Sequence, residues 1–240
     1  MGRAAVAASL QALQRAFRGP GGLLMRAIAY GPSRLNRRLC KWCIRAMEKH
    51  SGGAEVEISV LFADVRGSTG IAERMPSGEF SSLLVRFYGT TAEVIDEYDG
   101  IVDKFVGDGV VALFIPAFAG SRHAERAVEA TRRLLAETGN DADDPWIPIG
   151  AGIHTGPSFV GSIGEGDAGD FTALGDTVNA AARLTAPAGA GELPVSADAA
   201  AAGDLETEGL EQRTLELRGR GQNVDAWVVT ARREAATATP

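Results

Sequence analysis

Alternating apolar and polar residues predict the first strand of the chain. The stretch "EVEISVLFADV" places an apolar side chain at every second position: Val56, Ile58, Val60 and Phe62. A period of two puts these side chains on one face of a strand. We therefore expect a strand with one buried face.

A helical period follows in "SGEFSSLLVRFYGTTAEVIDEYDG". Its apolar residues recur at intervals of three and four positions: Phe80, Leu83, Leu84, Phe87, Val94, Ile95 and Tyr98. Such spacing places them on one face of a helix. Ser77 is the predicted cap at its start and Gly100 the predicted stop at its end.

The next stretches complete the pattern of elements. "IVDKFV" and "VVALFI" flank "GDG" and predict a hairpin. "RHAERAVEATRRLLAETG" predicts a helix that ends at Gly139, and "WIPIGAGIHTG" predicts a strand. The order β-α-β-β-α-β is that of a ferredoxin-like core. "GDTVNAAARLTAPAG" then predicts a short helix and "RTLELRGRGQNVDAWVV" a closing hairpin. We expect an α/β (α+β) fold with a ferredoxin-like βαββαβ core and a C-terminal helix and hairpin.

Composition favours a soluble globular protein. Of the 240 residues, 45% are hydrophobic and 23% charged. No apolar run reaches the ~20 residues of a membrane-spanning helix, and the N-terminus lacks the features of a secretory signal. We expect a cytoplasmic protein with a basic helical extension (residues 1–53), a catalytic domain (residues 54–230) and a disordered tail (residues 231–240).

Charge is distributed unevenly along the chain. Residues 1–50 carry ten Lys and Arg against one acid, whereas the rest carries fourteen basic and thirty acidic residues. We interpret the basic segment as a solvated helix, with contact to an anionic membrane as the alternative. Nucleic acid is not an expected partner, because no aromatic interleaving or zinc-finger spacing accompanies the charge. Cys40 and Cys43 are expected to be reduced, with a site shared across a dimer left open.

Two carboxylates are candidates for metal binding. Asp64 lies where the first strand ends, and Asp108 lies in the turn of the central hairpin. The ferredoxin-like topology makes these strands neighbours, and adjacent carboxylates repel each other unless a cation lies between them. Mg²⁺ and Mn²⁺ prefer such oxygen ligands together with substrate phosphates.

Two further stretches contain candidate binding residues. "DVRGST" predicts a tight turn whose backbone N–H groups, at Gly67, Ser68 and Thr69, suit an anion. Asn179 and Arg183 are four residues apart on one helix face, where an amide and a cation suit a sugar and a phosphate. For each feature taken alone, an ordinary surface residue is the competing interpretation.

Together, "FADVRGST", "KFVGDGVVALF" and "TALGDTVNAAARL" resemble the catalytic domain of class III nucleotidyl cyclases, over about residues 55 to 230. The resemblance implies a head-to-tail homodimer with two active sites at its interface. Asp64, Asp108 and the carbonyl of Val65 would hold two divalent metals. The second chain would supply its nucleotide-binding residues: Lys104, Thr172, Asn179 and Arg183.

The same resemblance assigns the choice of base to Lys104 and Thr172. Lys104 donates to adenine N1 and the Thr172 hydroxyl accepts from the 6-amino group, whereas guanine inverts that pattern. We therefore expect an adenylate cyclase acting on ATP, with a guanylate cyclase or a catalytically silent module as alternatives. In having a threonine at position 172, the chain also resembles the subclass of these enzymes that includes bicarbonate-responsive cyclases.

The phosphates have a second set of candidate ligands. Arg218 and Arg220, in the turn "LRGRG", would contact the terminal phosphates. Many relatives also have an Arg where this chain has Ala168. In those relatives the arginine helps to hold the triphosphate, which alanine cannot do, so we expect a weak apparent affinity for ATP.

Overall fold

A computed structural model of the chain describes residues 53–163, 170–216 and 223–231. Several expectations fall outside these ranges: the N-terminal helix, Cys40, Cys43, Ala168, Arg218, Arg220 and the C-terminal tail from residue 232. No helix within the described ranges combines the length and the apolar character needed to cross a membrane.

The first half of the described chain contains β1 (Gly53–Val65), α1 (Ser68–Arg74), α2 (Ser77–Glu97), β2 (Ile101–Val106), β3 (Gly109–Phe114), α3 (Pro116–Ala119), a 3₁₀ turn (Gly120–Arg122) and α4 (His123–Glu137). The second half contains β4 (Ile149–Ile163), β5 (Asp170–Leu174), α5 (Asp176–Thr185), β6 (Glu192–Ser196), α6 (Ala197–Ala202), β7 (Glu211–Glu216) and β8 (Asn223–Thr230).

The mixed α+β fold and its βαββαβ order are confirmed. Within the described residues the strands of the sheet lie in the order β2-β3-β1-β4-β6-β8-β7, and β5 pairs with β4. The pairings of β1 and of β2 with β3 are antiparallel, and β7 and β8 form the closing hairpin. The first strand therefore lies inside the sheet, between β3 and β4.

The described chain divides into two compact units. One comprises the described residues from 55 to 159 and from 173 onward, and the other includes Val160–Thr172. In the first unit, an apolar core joins α2 and α4 to the strands through residues such as Phe87, Ile95, Leu134 and Leu135. Of the predicted site residues within the described ranges, all but Thr172 lie in this unit.

The expectation of one buried face on β1 is wrong. The four consecutive residues from Ile58 to Leu61 are all buried, and Leu61, Ala63 and Val65 belong to the main apolar core. Ile58 and Val60 face away from that core yet are also fully buried. A strand inside a sheet that is covered on both sides buries both of its faces.

Two predicted helix ends also differ from the structure. Ser77 is the first residue of α2 rather than its cap, since the preceding Pro76 takes the cap position without a side-chain hydrogen bond. At the other end, Asp99 adopts the left-handed conformation with a φ of 63°, and the Gly100 N–H then donates to the carbonyl of Ile95. The helix stops near Gly100 as expected, but Asp99 makes the turn.

Three strands differ from the sequence pattern. β4 starts at Ile149 and continues to Ile163, well beyond the predicted Gly156. β5 and β6 were not predicted as strands, because each has five residues and β6 contains Pro194. β6 is nevertheless held by parallel pairing with β4 and antiparallel pairing with β8.

Candidate active site

The end of β1 and the β2–β3 hairpin bring the two predicted metal ligands together. Asp64 lies opposite Gly109 in the antiparallel register. The Val65 N–H donates to the carbonyl of Asp108 at 3.3 Å. Asp108 thus lies one residue beyond the last pair of the ladder, beside Asp64. The expectation that these strands are neighbours is confirmed.

The electrostatic environment of Asp64 shows the effect of this neighbour. Burial raises the pKa of the Asp64 carboxyl above its usual value, and the negative charge of Asp108 raises it further. The Arg66 guanidinium and the Val65 N–H act in the opposite direction. The ionised form of Asp64 is therefore disfavoured by its surroundings, and a cation between the carboxylates would relieve this repulsion.

The donor set at this position fits a hard divalent cation whose other ligands come from elsewhere. Within the described residues, no three His, Cys, Asp or Glu side chains cluster in a way that would hold a metal. Two carboxylates fill only a few of the coordination positions of a Mg²⁺ or Mn²⁺ ion. Backbone carbonyls, water and phosphate oxygens fill the others when such an ion is bound together with a nucleotide.

Tyr88 supports the hairpin turn that carries Asp108. Its hydroxyl, on α2, donates to the carbonyl of Gly107, and its ring stacks on Phe105 at 4.3 Å between centroids. Gly107 has a φ of 61°, a conformation that favours glycine. Burial and the charge of Asp108 raise the pKa of Tyr88, so the hydroxyl remains a donor at neutral pH.

Lys104 lies on the outer half of β2, where the strand leaves the core. Its side chain is 44% exposed and its ammonium group lies 3.3 Å from the buried carboxylate of Asp103. The ladder between β2 and β3 is irregular between Val102 and Lys104. A cation on this strand is therefore accommodated at its solvent-facing end rather than within the core.

Asn179 and Arg183 line one cavity of about 330 Å³, so they share a helix face as expected. They project from α5, whose first turn is anchored by the Thr177 hydroxyl donating to the carbonyl of Pro157 at 2.7 Å. Lys104, which is one of the described residues, does not line this cavity. Acidic side chains also line it: Asp176, Asp198 and Asp225.

His154 lines the same cavity and was not singled out from the sequence. Its Nδ1 atom lies 2.8 Å from the Ser196 hydroxyl, and burial lowers the pKa of its imidazole, with Asp198 acting in the opposite direction. Its only sequence signal is a titratable side chain within the predicted strand "WIPIGAGIHTG".

The turn after β1 holds the remaining predicted residues of this unit. Gly67 adopts a left-handed conformation with a φ of 67°, and Ser68 and Thr69 begin α1. Arg66, just before them, contacts Asp64 through an ion pair of 2.8 Å. Arg66 is part of the stretch "DVRGST", but the sequence pattern assigned it no role.

Thr172 lies in β5 and belongs to the smaller unit. The residue is buried, with 6% of its surface exposed. The expectation that Thr172 and Lys104 bind the same nucleotide base remains a prediction.

Comparison with known proteins identifies similar domains. The family model described as "Adenylate and Guanylate cyclase catalytic domain" matches residues 53–231. Adenylate cyclase 1 of Rhizobium meliloti (strain 1021) is 33% identical over 144 residues, which are 56% of this chain and 22% of that protein. An uncharacterized protein of Mycobacterium tuberculosis (strain ATCC 25618 / H37Rv) is 34% identical over 133 residues, 55% of this chain and 23% of that protein. The matches thus span less than a quarter of these relatives.

Solved structures include similar domains of both substrate classes. The guanylyl cyclase Cya2 aligns with a TM-score of 0.67 and 28% identity, over 78% of this chain and 98% of that chain. The adenylyl cyclase CyaB from P. aeruginosa aligns with a TM-score of 0.63 and 27% identity, over 76% of this chain and 98% of that chain.

Proposed function

The chain belongs to the adenylate and guanylate cyclase catalytic domain family, and on that premise we propose that it is an adenylate cyclase. It converts ATP to 3′,5′-cyclic AMP and pyrophosphate. The observation that carries the proposal is that Asp64 and Asp108 lie side by side where the β1–β3 ladder ends. The catalytic domain comprises residues 54–230, between the basic extension and the tail, in a cytoplasmic protein.

Divalent metals, which this family generally uses, are held in this proposal by Asp64, Asp108 and the carbonyl of Val65. When bound there, two Mg²⁺ or Mn²⁺ ions per site would supply positive charge that favours loss of the ribose 3′-hydroxyl proton and departure of pyrophosphate. The raised pKa of Asp64 beside Asp108 supports this assignment, because two carboxylates held this close favour a shared cation.

The reaction joins the ribose 3′-oxygen to the α-phosphorus and breaks the bond between the α-phosphorus and the bridging oxygen of pyrophosphate. The 3′-hydroxyl gives its proton to water, and the bridging oxygen leaves with pyrophosphate. Arg183 stabilises the charge that grows on the α-phosphate, and Asn179 orients the ribose. Backbone N–H groups of Gly67, Ser68 and Thr69 bind phosphate oxygens. Arg218 and Arg220 contact the terminal phosphates.

The choice of ATP depends on Lys104 and Thr172. The Lys104 ammonium group only donates hydrogen bonds, and it suits the acceptor at adenine N1. The Thr172 hydroxyl accepts from the 6-amino group. Guanine presents a donor at N1, which the Lys104 ammonium group cannot accept, so two donors would face each other and the hydrogen bond would be lost.

The two halves of each site come from different chains in a head-to-tail homodimer. Cyclase domains of this family work as dimers, with a nucleotide as substrate. One chain contributes the metal-binding carboxylates Asp64 and Asp108. The other contributes its own Lys104, Thr172, Asn179 and Arg183.

Two other functions compete with this proposal. A guanylate cyclase is supported by the similarity to Cya2, because the comparisons include both substrate classes. A silent nucleotide-binding module is the second alternative. The presence of both metal carboxylates, Asn179 and Arg183 is an argument against it.

The decisive experiment is product formation from ATP and from GTP with Mn²⁺, for the wild-type chain and for Asp108→Ala. We expect cyclic AMP from ATP, little cyclic GMP, and loss of product in the variant. Glu73→Gln removes an exposed carboxylate from α1 and serves as the control that keeps its activity. Cyclic GMP as the main product would favour the guanylate cyclase, and nucleotide binding without product would favour the silent module.

A further inference from the structure

Arg66 connects two segments of the chain that are far apart in the sequence. Its Nη2 atom donates to the Asp64 carboxylate at 2.8 Å, and its Nε atom donates to the main-chain carbonyl of Asp64 at 3.3 Å. Its Nη1 atom donates to the carbonyl of Ala186 at 3.3 Å. One guanidinium group thus contacts the end of β1 and the residue that caps the C-terminus of α5.

The space for this guanidinium group depends on a glycine in β4. A Cβ atom added at Gly150 would lie 3.1 Å from the Arg66 Nε atom and 2.8 Å from the carbonyl oxygen of Gly189. The Arg66 backbone is fixed as well, since its N–H donates to the carbonyl of Pro148 at 2.8 Å. With 21% of its side chain exposed, Arg66 is held by its surroundings rather than extended into solvent.

The helix end that Arg66 contacts is itself packed closely on the sheet. The Thr185 hydroxyl donates to the carbonyl of Ala181 in its own helix at 3.0 Å and also lies 3.3 Å from the carbonyl of Phe62 in β1. A Cβ atom at Gly152 would lie 2.6 Å from the backbone nitrogen of Thr185. The C-terminal end of α5 therefore offers a firm anchor for a side chain that reaches it from β1.

We propose that Arg66 is a positioning residue that fixes the orientation of the Asp64 carboxylate by anchoring it to the C-terminal end of α5. The inference rests on the proposed function, in which Asp64 holds a divalent metal. Groups that hold a metal ligand in place commonly change metal affinity by ten-fold or more when they are removed. Helix α5 also carries Asn179 and Arg183. Within one chain, Arg66 therefore links the metal-binding residue Asp64 to the helix that carries the nucleotide-binding residues.

A purely electrostatic role for Arg66 predicts a different outcome from positioning. A positive charge beside Asp64 repels an incoming cation, so its removal would tighten metal binding, and lysine would replace it without effect. Positioning instead depends on the planar fork of arginine, which makes several directed hydrogen bonds that the ammonium group of lysine does not reproduce. Lysine and an uncharged side chain would then both weaken metal binding.

The test is the affinity of the full chain for Mn²⁺ alone, measured from the electron paramagnetic resonance signal of the free ion. We expect Arg66→Lys and Arg66→Met each to raise the Kd for Mn²⁺ by about tenfold. Arg122→Met is the matched control, because Arg122 also pairs with a carboxylate, Glu125, on the protein surface. This control should leave the Kd unchanged. The midpoint of thermal unfolding, measured on each variant, shows whether the chains are folded.

Three outcomes would overturn the inference. An unchanged Kd in both Arg66 variants would show that Asp64 needs no anchor. An unchanged Kd in Arg66→Lys with a lower Kd in Arg66→Met would show that only the charge matters. A wild-type chain that binds Mn²⁺ no better than Asp64→Asn does, both without nucleotide and with 3′-deoxy-ATP, would overturn the proposed metal site together with the inference. If Arg66→Met does not fold, Arg66→Lys still separates positioning from charge.

Discussion

Lys104 shows how the position of one residue suits it for recognition. Its side chain is exposed in the outer half of β2, while its partner, the Asp103 carboxylate, is buried. A charge at the rim of a sheet retains much of its hydration, so little free energy is lost in placing it there. Lys104 is thus available for a second hydrogen bond to a nucleotide base without becoming an isolated charge in the core.

For this residue we predict that Lys104→Glu changes the preference between nucleotides. The ratio of kcat/KM for ATP to that for GTP should fall by about 100-fold or more, since glutamate accepts hydrogen bonds from guanine and has no donor for adenine N1. The measurement is the initial rate of each cyclic product over a range of nucleotide concentrations. Lys104→Met is the control, in which ATP turnover falls without a gain for GTP. An unchanged ratio in Lys104→Glu would contradict the assigned role of Lys104.

The β2–β3 hairpin is the element that positions Asp108, and α2 restrains it. Tyr88 both stacks on Phe105 in β2 and donates to Gly107 in the turn. A two-residue turn has few other interactions that fix its conformation. The position of Asp108 therefore depends on a contact between two elements, in addition to the ladder between β2 and β3.

We predict that Tyr88→Phe loosens this turn. Loss of one hydroxyl hydrogen bond to an exposed carbonyl should lower the free energy of unfolding by about 0.5–1 kcal/mol. It should also raise the Mn²⁺ concentration at half-maximal activity, because Asp108 is less well held. Urea unfolding and Mn²⁺ titration of the rate are the measurements. Tyr98→Phe removes a hydroxyl just after the same helix and serves as the control. Equal metal dependence in the two variants would argue against a role for Tyr88 in positioning Asp108.

For the molecule as a whole, the proposed dimer predicts complementation between inactive chains. Asp64→Ala and Asn179→Ala should each be inactive alone, because each removes an essential part of both sites in its own homodimer. A mixed dimer has one site in which both parts are intact. Random pairing of the two chains should therefore restore about a quarter of the wild-type activity.

This experiment requires the two variants to be mixed under conditions that allow chain exchange, or to be produced together. Product formation is then measured at fixed total protein. The control is a mixture of Asp64→Ala with Asp108→Ala, which lack the same part of the site and should not complement each other. No activity from the first mixture would show that each site is built from a single chain. Activity from the control mixture would contradict the assignment of Asp64 and Asp108 to the same half of the site.

Local sequence patterns were sufficient to predict most elements and their order. Periods of two and of three to four residues predicted β1, α2, the central hairpin, α4 and the closing hairpin, because these patterns depend only on near neighbours. The order of these elements also placed β1 beside β3, so the proximity of Asp64 and Asp108 could be predicted from the sequence alone.

Contacts between distant segments, in contrast, were set by tertiary packing. Both faces of β1 are buried because the sheet is covered on both sides at this strand, which its own alternation does not reveal. The short strand β6 exists because β4 and β8 pair with it. Arg66 reaches Ala186, 120 positions away, through a space left by Gly150. Such contacts arise from the packing of segments far apart in the chain, so a local pattern of polar and apolar residues does not encode them.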